Sequence, residues 1–140
     1  MDIEKIIEST VNKLELIDSA DIPSIDLYMD QVTTFMEKHL KDKKITAIMG
    51  MMADKDIDKV LSMMMPYFDK VYTVTPSNPR AMSREELCEK IKKHGTSAVI
   101  FEIDENSINE LIKSMNEDEV LIVCGSLYLC TDVYNMIVHN

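Results

Sequence analysis

The sequence predicts a three-layer α/β domain: a mostly parallel sheet of four or five strands lies between helices and follows a helical leader. From residue 45 onward, short apolar runs alternate four times with longer segments of helical periodicity. The apolar runs are continuous rather than alternating, which indicates strands buried on both faces and therefore a parallel sheet. Right-handed crossovers then largely determine the handedness of the fold.

Each element of this alternation has its own local signals. Strands are predicted at 45–49, 70–74, 98–101 and 120–124, and helices at 57–65, 83–93, about 104–115 and about 127–137. Asp56 and Asp104 are candidate N-caps, and Ser83 with Glu86 three residues later predicts a capping box. Gly95 is placed to end the second helix as a left-handed cap.

The first 44 residues differ in pattern and are predicted to form the helical leader, with the α/β domain spanning 45–140. A helical spacing of isoleucines begins at Ile3, and residues 14–17 either extend that helix or form a fifth strand. Pro23 interrupts the pattern, and a second helix is predicted over 25–40. The charged run 41–44 is the candidate boundary.

Composition excludes several classes of function. The chain has 140 residues, enough for one modest domain, and 46% of them are hydrophobic, so a core can form. A formal charge of −10 argues against nucleic acid and anionic membrane surfaces as partners. The N-terminus has no signal-peptide pattern, and three cysteines without metal-ligand spacing indicate reduced thiols in the cytoplasm and no metal site.

The loop Thr75–Arg80 is the most informative stretch, because it follows a predicted strand and precedes a predicted helix. Parallel α/β sheets place their ligand-binding loops there. Pro76 and Pro79 stiffen the loop by fixing φ. Arg80 is one of two arginines in the chain, and its guanidinium suits bidentate binding of a carboxylate or phosphate. The alternative is an ordinary surface arginine after a turn.

Two other strand ends carry polar candidates. Lys55 follows the first strand and either reaches a phosphate or carboxylate or lies in solvent. Ser126 follows the last strand and either caps the final helix or offers its hydroxyl to a ligand. Gly50 and Gly125 end these strands and permit either a close ligand approach or a tight turn. The methionines concentrated in this region are interpreted as core residues, and so is Cys124.

Three landmarks in residues 45–137 resemble the C-terminal domain of folylpolyglutamate synthases, which belong to the Mur ligase group. They are Met49-Gly50-Met51 with Asp54-Lys55-Asp56, the run Thr75 to Ala81, and Gly125-Ser126-Leu127-Tyr128-Leu129. The resemblance implies a Rossmann-like domain that closes over an ATP-binding central domain. In such ligases ATP activates a carboxylate as an acyl phosphate, which an amino acid's amine attacks; for the folate enzymes that amino acid is glutamate.

The resemblance also implies roles for individual residues. Asn78, Arg80 and Ser126 are the candidates for binding substrate, either glutamate or a folate, and Lys55 is a candidate near the nucleotide. Asp18 is the second nucleotide-proximal candidate, because 18–23 is the best counterpart of a family motif near the nucleotide, although it lacks the histidine and asparagine of that motif. Ser77 stands where the family usually has aspartate. Residues 22–40 also resemble the N-terminal part of a small uncharacterised bacterial family.

The sequence contains neither G-x-x-x-x-G-K-[ST] nor G-x-G-x-x-G, so no phosphate-binding glycine loop is predicted. We therefore expect no catalytic residue and no cofactor bound by this chain alone, with ATP and Mg²⁺ present only if a central ligase domain is supplied. The predicted function is the C-terminal domain, or a stand-alone remnant, of a ligase that adds glutamate to folate. The alternative is a non-catalytic binding or regulatory module, with a homo-oligomer or another protein as its partner.

Overall fold

The computed structural model describes residues 42–53 and 56–125, together with residues 34, 37, 38, 129, 132, 133, 135 and 136. The described strands are β1 (Lys44–Met49), β2 (Lys70–Thr73), β3 (Ser97–Ile100) and β4 (Glu119–Cys124). The described helices with complete bounds are α1 (Ile57–Met64), α2 (Arg84–Lys93) and α3 (Glu105–Ser114), and a short 3-10 helix follows α1 at Met65–Tyr67. The predicted strand or helix at 14–17 lies outside the described residues.

The described strands form one parallel sheet in the order β3-β2-β1-β4. This confirms the predicted parallel α/β fold. Successive strands move from β1 outward to β3, and the chain then crosses back to place β4 on the other side of β1. Because such crossovers are right-handed, α1 and α2 cover one face of the sheet and α3 the other. The reversal of direction beside β1 is where open α/β sheets bind ligands.

The sheet forms the centre of the hydrophobic core. Residues 45–49 of β1 and 120–124 of β4 are buried along their length, as expected for strands covered on both faces. Helix α1 contributes Ile57, Val60, Leu61 and Met64, the face predicted from its spacing. The methionines near the first strand and helix were interpreted as core residues. Those at 49, 51, 52, 64 and 65 are buried, and Met63 is partly buried against the same core.

The predicted helix ends agree with the structure. The Asp56 side chain accepts a hydrogen bond from the Lys59 N–H. The Ser83 hydroxyl accepts one from the Glu86 N–H at 3.2 Å, which is the serine bond of the predicted capping box. Asp104 caps α3 in the same way. Gly95 follows α2 with φ +85, the predicted left-handed cap.

Residues on either side of the sheet-forming region are helical where they are described. Thr34, Glu37 and Lys38 are helical, in agreement with the helix predicted over 25–40. Residues 129, 132, 133, 135 and 136 are helical, in agreement with the predicted final helix. Among the described residues, no helix is both long enough and apolar enough to cross a membrane.

Candidate functional site

The loop after β2 is fixed at both ends by backbone hydrogen bonds to the segment after β1. At its start, the Val74 N–H donates to the Met49 carbonyl at 3.0 Å. At its end, the Ala53 N–H donates to the Arg80 carbonyl at 2.8 Å, and the Met82 N–H donates to Met51, also at 2.8 Å. These bonds flank an antiparallel bridge between Met52 and Ala81. The loop predicted to bind a ligand is therefore held as a rigid extension of the sheet.

Asn78 organises the turn inside this loop. Its side-chain oxygen accepts a hydrogen bond from the Arg80 N–H at 2.9 Å, and its carbonyl accepts one from the Ala81 N–H at 3.0 Å. The side chain thus forms an Asx-turn, in which the amide replaces a backbone acceptor. The structure shows that Asn78 sets the backbone conformation at Arg80; the substrate-binding role predicted for Asn78 stays a prediction.

The two arginines occupy different environments. The Arg84 N–H donates to the Thr75 hydroxyl at 2.9 Å, and its guanidinium Nη1 donates to the Phe101 carbonyl at 3.2 Å. The buried Thr73 hydroxyl donates to the Arg84 carbonyl at 2.9 Å. Arg84 therefore belongs to the scaffold that joins α2 to the ends of β2 and β3. Arg80, by contrast, is exposed on the loop.

Three chain segments converge at this carboxyl edge. A Cβ atom added to Gly50 would lie 2.8 Å from Pro76 Cγ and 3.1 Å from Leu129 Cδ2, so the absence of a side chain permits these contacts. The Ser77 hydroxyl donates to the Asp132 carboxylate at 2.7 Å. The landmarks singled out in the sequence, which are up to 80 residues apart, are thus brought to one place. The atoms close to Gly50 belong to the chain itself, and Gly50, unlike Gly125, does not have a positive φ.

The remaining predicted site residues, Asp18, Lys55 and Ser126, lie outside the described residues. Ala53, two positions before Lys55, and Gly125, directly before Ser126, are at the same edge as the loop after β2. The roles of these three residues stay predictions. The contacts Ser77–Asp132 and Thr75–Arg84 were not predicted, because hydroxyl-to-carboxylate and hydroxyl-to-backbone pairs between separate elements leave no periodic signal in a sequence.

Burial determines the protonation of the thiol at this edge. Cys124 is the last residue of β4, and its burial raises the pKa of the thiol to about 12. The thiol therefore stays protonated near neutral pH and is a poor nucleophile. This agrees with the interpretation of Cys124 as a core residue. Within the described part of the chain, no group of three or more His, Cys, Asp or Glu side chains is arranged to hold a metal ion.

A cavity of about 420 Å³ lies at the opposite, amino edge of the sheet. The end of α1 contributes Leu61 and Met65, the start of β2 contributes Asp69, and the segment entering β3 contributes His94 and Thr96. The Asp69 carboxylate accepts a hydrogen bond from the Ile45 N–H at 2.8 Å, so it holds β1 in place. Of the predicted ligand-binding residues, the structure describes Asn78 and Arg80, and neither of these two lines this cavity.

Comparison with known families identifies the domain. The family model for the "Mur ligase, glutamate ligase domain" matches residues 28–127, which is most of the chain. The chain belongs to this family. The resemblance deduced from the three landmarks is thereby confirmed. The match begins before residue 45, so it includes part of the segment predicted to be a leader.

Folylpolyglutamate synthases are among the proteins to which this chain is similar. The dihydrofolate synthase/folylpolyglutamate synthase of Haemophilus influenzae is 27% identical over 126 residues, which are 87% of this chain and 28% of that protein. The E. coli FolC structure in complex with DHPP and ADP superposes with a TM-score of 0.69 at 22% identity, covering 79% of this chain and 26% of that one. The latter shows a common fold.

A further solved structure is a bifunctional folylpolyglutamate synthase/dihydrofolate synthase with Mn, AMPPNP and L-glutamate bound. It is 25% identical, with a TM-score of 0.66, and covers 80% of this chain and 26% of that one. This chain therefore spans only about a quarter of the length of the enzymes that it resembles. The similarity is to the C-terminal domain of these enzymes, as the sequence predicted.

Proposed function

We propose that this domain holds the incoming L-glutamate for an ATP-dependent ligase that adds glutamate to folate, and that it is not catalytic alone. The observation that carries the proposal is the loop after β2, which presents an exposed Arg80 from a backbone fixed at both ends. A preorganised loop loses little conformational entropy on binding. Membership of the glutamate ligase domain family supports this assignment.

Each candidate residue has a distinct part in the proposal. The Arg80 guanidinium binds a carboxylate of glutamate through two parallel hydrogen bonds. Asn78 fixes the Arg80 backbone through its side-chain oxygen, and its amide nitrogen remains a donor that can bind a ligand oxygen. Ser126 offers a hydroxyl from the loop after β4, while Lys55 and Asp18 are assigned to the nucleotide side of the site.

The chemistry of activation belongs to other residues. ATP with Mg²⁺ supplies the phosphoryl group that converts the folate carboxylate into an acyl phosphate, and a central ligase domain would bind both. This sequence contains no P-loop motif with which to bind ATP in that way. The proposal assigns residues 45–140 to the glutamate-holding domain, residues 1–44 to a leader, and the protein to the cytoplasm.

Calorimetric titration of the full chain with L-glutamate tests the proposal. Removing a charge-assisted bidentate contact costs about 1.5–3 kcal/mol, so we expect Arg80→Ala to weaken binding by about ten- to a hundredfold. Arg80→Lys keeps the charge but loses the planar fork, and should recover only part of the affinity. Lys113→Ala, which removes an exposed cation from the far end of α3, is the matched control and should bind as the unmodified chain does.

Three results distinguish the proposed glutamate-holding role from that of a non-catalytic module. Glutamate binding that survives Arg80→Ala would contradict the assignment of the loop after β2. ATP-dependent glutamate addition to a folate, once a P-loop domain of a related ligase is supplied, would support the ligase role directly. If the folded chain binds neither glutamate, ATP nor a folate, the proposal fails and the protein is a non-catalytic module with another partner.

A further inference from the structure

The two edge strands of the described sheet differ sharply in exposure. Residues 120–124 of β4 are all buried although β4 lies at an edge. In β3, at the other edge, only Ala98 is buried. Val99 and Ile100 are 39% and 48% exposed, and they are the large hydrophobic residues that the described part of the chain leaves exposed. An exposed apolar edge strand is a ready template for pairing with another strand.

The backbone of β3 presents hydrogen-bonding groups on its outer side. The Phe101 N–H donates to the Thr73 carbonyl at 2.8 Å, and the Val99 carbonyl accepts from the Thr73 hydroxyl at 3.4 Å, so these residues face β2. Backbone groups alternate in direction along a strand. The N–H and C=O groups of Ala98 and Ile100 therefore point away from the sheet.

Charge differs between the two ends of this strand. Before β3, the last turn of α2 carries the exposed cations Lys92 and Lys93, and Lys92 lies 3.9 Å from the Glu89 carboxylate. After β3, the chain carries the exposed carboxylates Glu102, Asp104 and Glu105. An antiparallel copy of the same segment brings the basic end of one molecule to the acidic end of the other, at both ends of the pair. The edge is thus complementary to itself in charge.

We propose that β3 pairs antiparallel with β3 of a second copy of this chain, about a two-fold axis at Val99. In this register Ala98 of each molecule exchanges both backbone hydrogen bonds with Ile100 of the other, giving four intermolecular bonds. The two Val99 side chains face each other across the axis in the closer, non-hydrogen-bonded pair. The two described sheets join into one sheet of eight strands, with the same surface used by both molecules.

The association is concentration-dependent, because the pairing strand is four residues long and each chain carries a formal charge of −10. Sedimentation velocity of the full chain, from micromolar concentrations to about 1 mM, measures it. We expect a monomer–dimer equilibrium, with the weight-average mass rising toward twice 16.0 kDa. A mass that stays at 16.0 kDa throughout this range would overturn the proposal.

Two variants of equal charge locate the interface. Val99→Lys places two like charges against each other at the two-fold axis, so dimerisation should weaken by at least tenfold. Ser114→Lys adds the same charge at the exposed end of α3, away from β3, and should dimerise as the unmodified chain does. Equal association of the two variants would place the interface elsewhere on the chain and overturn the proposal.

Backbone pairing and end charges are tested separately. Ile100→Pro removes an outward N–H but leaves the inner ladder to β2, so the circular dichroism spectrum should persist while the dimer is lost. Lys93→Glu should weaken the dimer, and adding Glu102→Lys should restore it, because the exchanged charges meet in opposite copies. A folded Ile100→Pro that still dimerises, or a double variant weaker than either single one, would contradict antiparallel β3 pairing.

Discussion

At the scale of single residues, Gly125 and Gly95 share a backbone conformation but not an environment. Both have positive φ, +102 and +85, which L side chains rarely adopt. A Cβ atom at Gly125 would overlap the Gly50 carbonyl oxygen and lie 2.7 Å from Met51 Sδ. A Cβ atom at Gly95 would meet nothing within 4 Å. Gly125 is therefore required for the close approach of the loops after β1 and β4, whereas Gly95 is required only for its turn.

This difference predicts unequal costs of the same substitution. Gly95→Ala should lower the free energy of unfolding by about 1–2 kcal/mol, the cost of left-handed backbone for an L residue. Gly125→Ala adds steric overlap to that strain and should cost about 3 kcal/mol or more. Urea unfolding of the two variants measures both values. Equal losses would show that the loops after β1 and β4 do not approach closely in solution.

Residue-level sequence reasoning located the candidate loop but not its internal contacts. Asn78 lies between two prolines and Arg80 follows the second of them, and this pattern after a predicted strand was sufficient to predict a rigid loop at the sheet edge. That Asn78 accepts from the Arg80 N–H depends on a turn only a few residues long, and many sequences with this spacing form other turns. The bond from Ser77 to Asp132 joins residues 55 positions apart, so it depends on the tertiary fold.

At the scale of elements, the N-caps of α1 and α3 differ in the number and length of their hydrogen bonds. Asp104 accepts from the Ser107 N–H at 2.8 Å, and the Ser107 hydroxyl accepts from the Asp104 N–H at 2.9 Å, a reciprocal capping box. Asp56 accepts from the Lys59 N–H at 3.3 Å, a longer bond. The N-terminus of helix α3 is therefore more strongly capped, and the stability of α1 depends more on the packing of its buried face.

Substitution of the two caps should reveal this difference. Asp104→Ala removes the bond from the Ser107 N–H but keeps the backbone N–H that donates to the Ser107 hydroxyl, and it should lower the free energy of unfolding by about 1–2 kcal/mol. Asp56→Ala should cost about half as much, because the bond that it removes is longer. Chemical denaturation provides the measurement. Ser107→Ala is the informative companion, because in a true box its loss and that of Asp104→Ala should not add in the double variant. Additive losses would contradict the reciprocal geometry.

Element boundaries followed from sequence wherever a residue type carries its own signal. Gly95, Asp56, Ser83 and Asp104 end or begin helices as predicted, because caps act through one or two local bonds. The 3-10 helix at Met65–Tyr67 was not predicted. Pro66 lacks the N–H that would continue α1, so the chain tightens into a turn of different period. Periodicity alone does not distinguish such a turn from one more α-helical turn.

At the scale of the whole molecule, strand order rather than any local pattern creates the candidate site. The alternation of strands and helices predicts a parallel sheet, but it does not state which strands are neighbours. The order β3-β2-β1-β4 brings the ends of β1 and β4 side by side, and with them Gly50 and Gly125. The family resemblance implied that residues from these loops serve one substrate site, but it was not used to predict a strand order. Periodicity alone is compatible with several strand orders, and only some of them bring the loops after β1 and β4 together.

A contact between the α/β domain and the segment before it offers the last test. The Tyr67 hydroxyl donates to the Glu37 carboxylate at 2.5 Å, across 30 residues of sequence. This hydrogen bond, with the negative charge of Glu37, raises the pKa of Tyr67 above its usual value of 10.0, since both oppose formation of the phenolate. The bond therefore stabilises the contact between Glu37 and the α/β domain fully at pH values below the pKa that Tyr67 has in the unfolded chain. This contribution is lost as the pH rises through the raised pKa of Tyr67 in the folded chain.

Glu37→Gln should accordingly lower the pKa of Tyr67 toward 10.0, as read by ultraviolet difference titration with Tyr67→Phe as the reference for the other tyrosines. Lys38→Gln alters an exposed charge on the neighbouring residue and is the matched control, because the carboxylate that accepts the bond remains. An unchanged titration of Tyr67 in Glu37→Gln would mean that the helical residues around Glu37 do not dock on the domain in solution. A lowered pKa would show that the predicted boundary at 44 separates two parts of one folded unit, because the pair can only interact when both are in place.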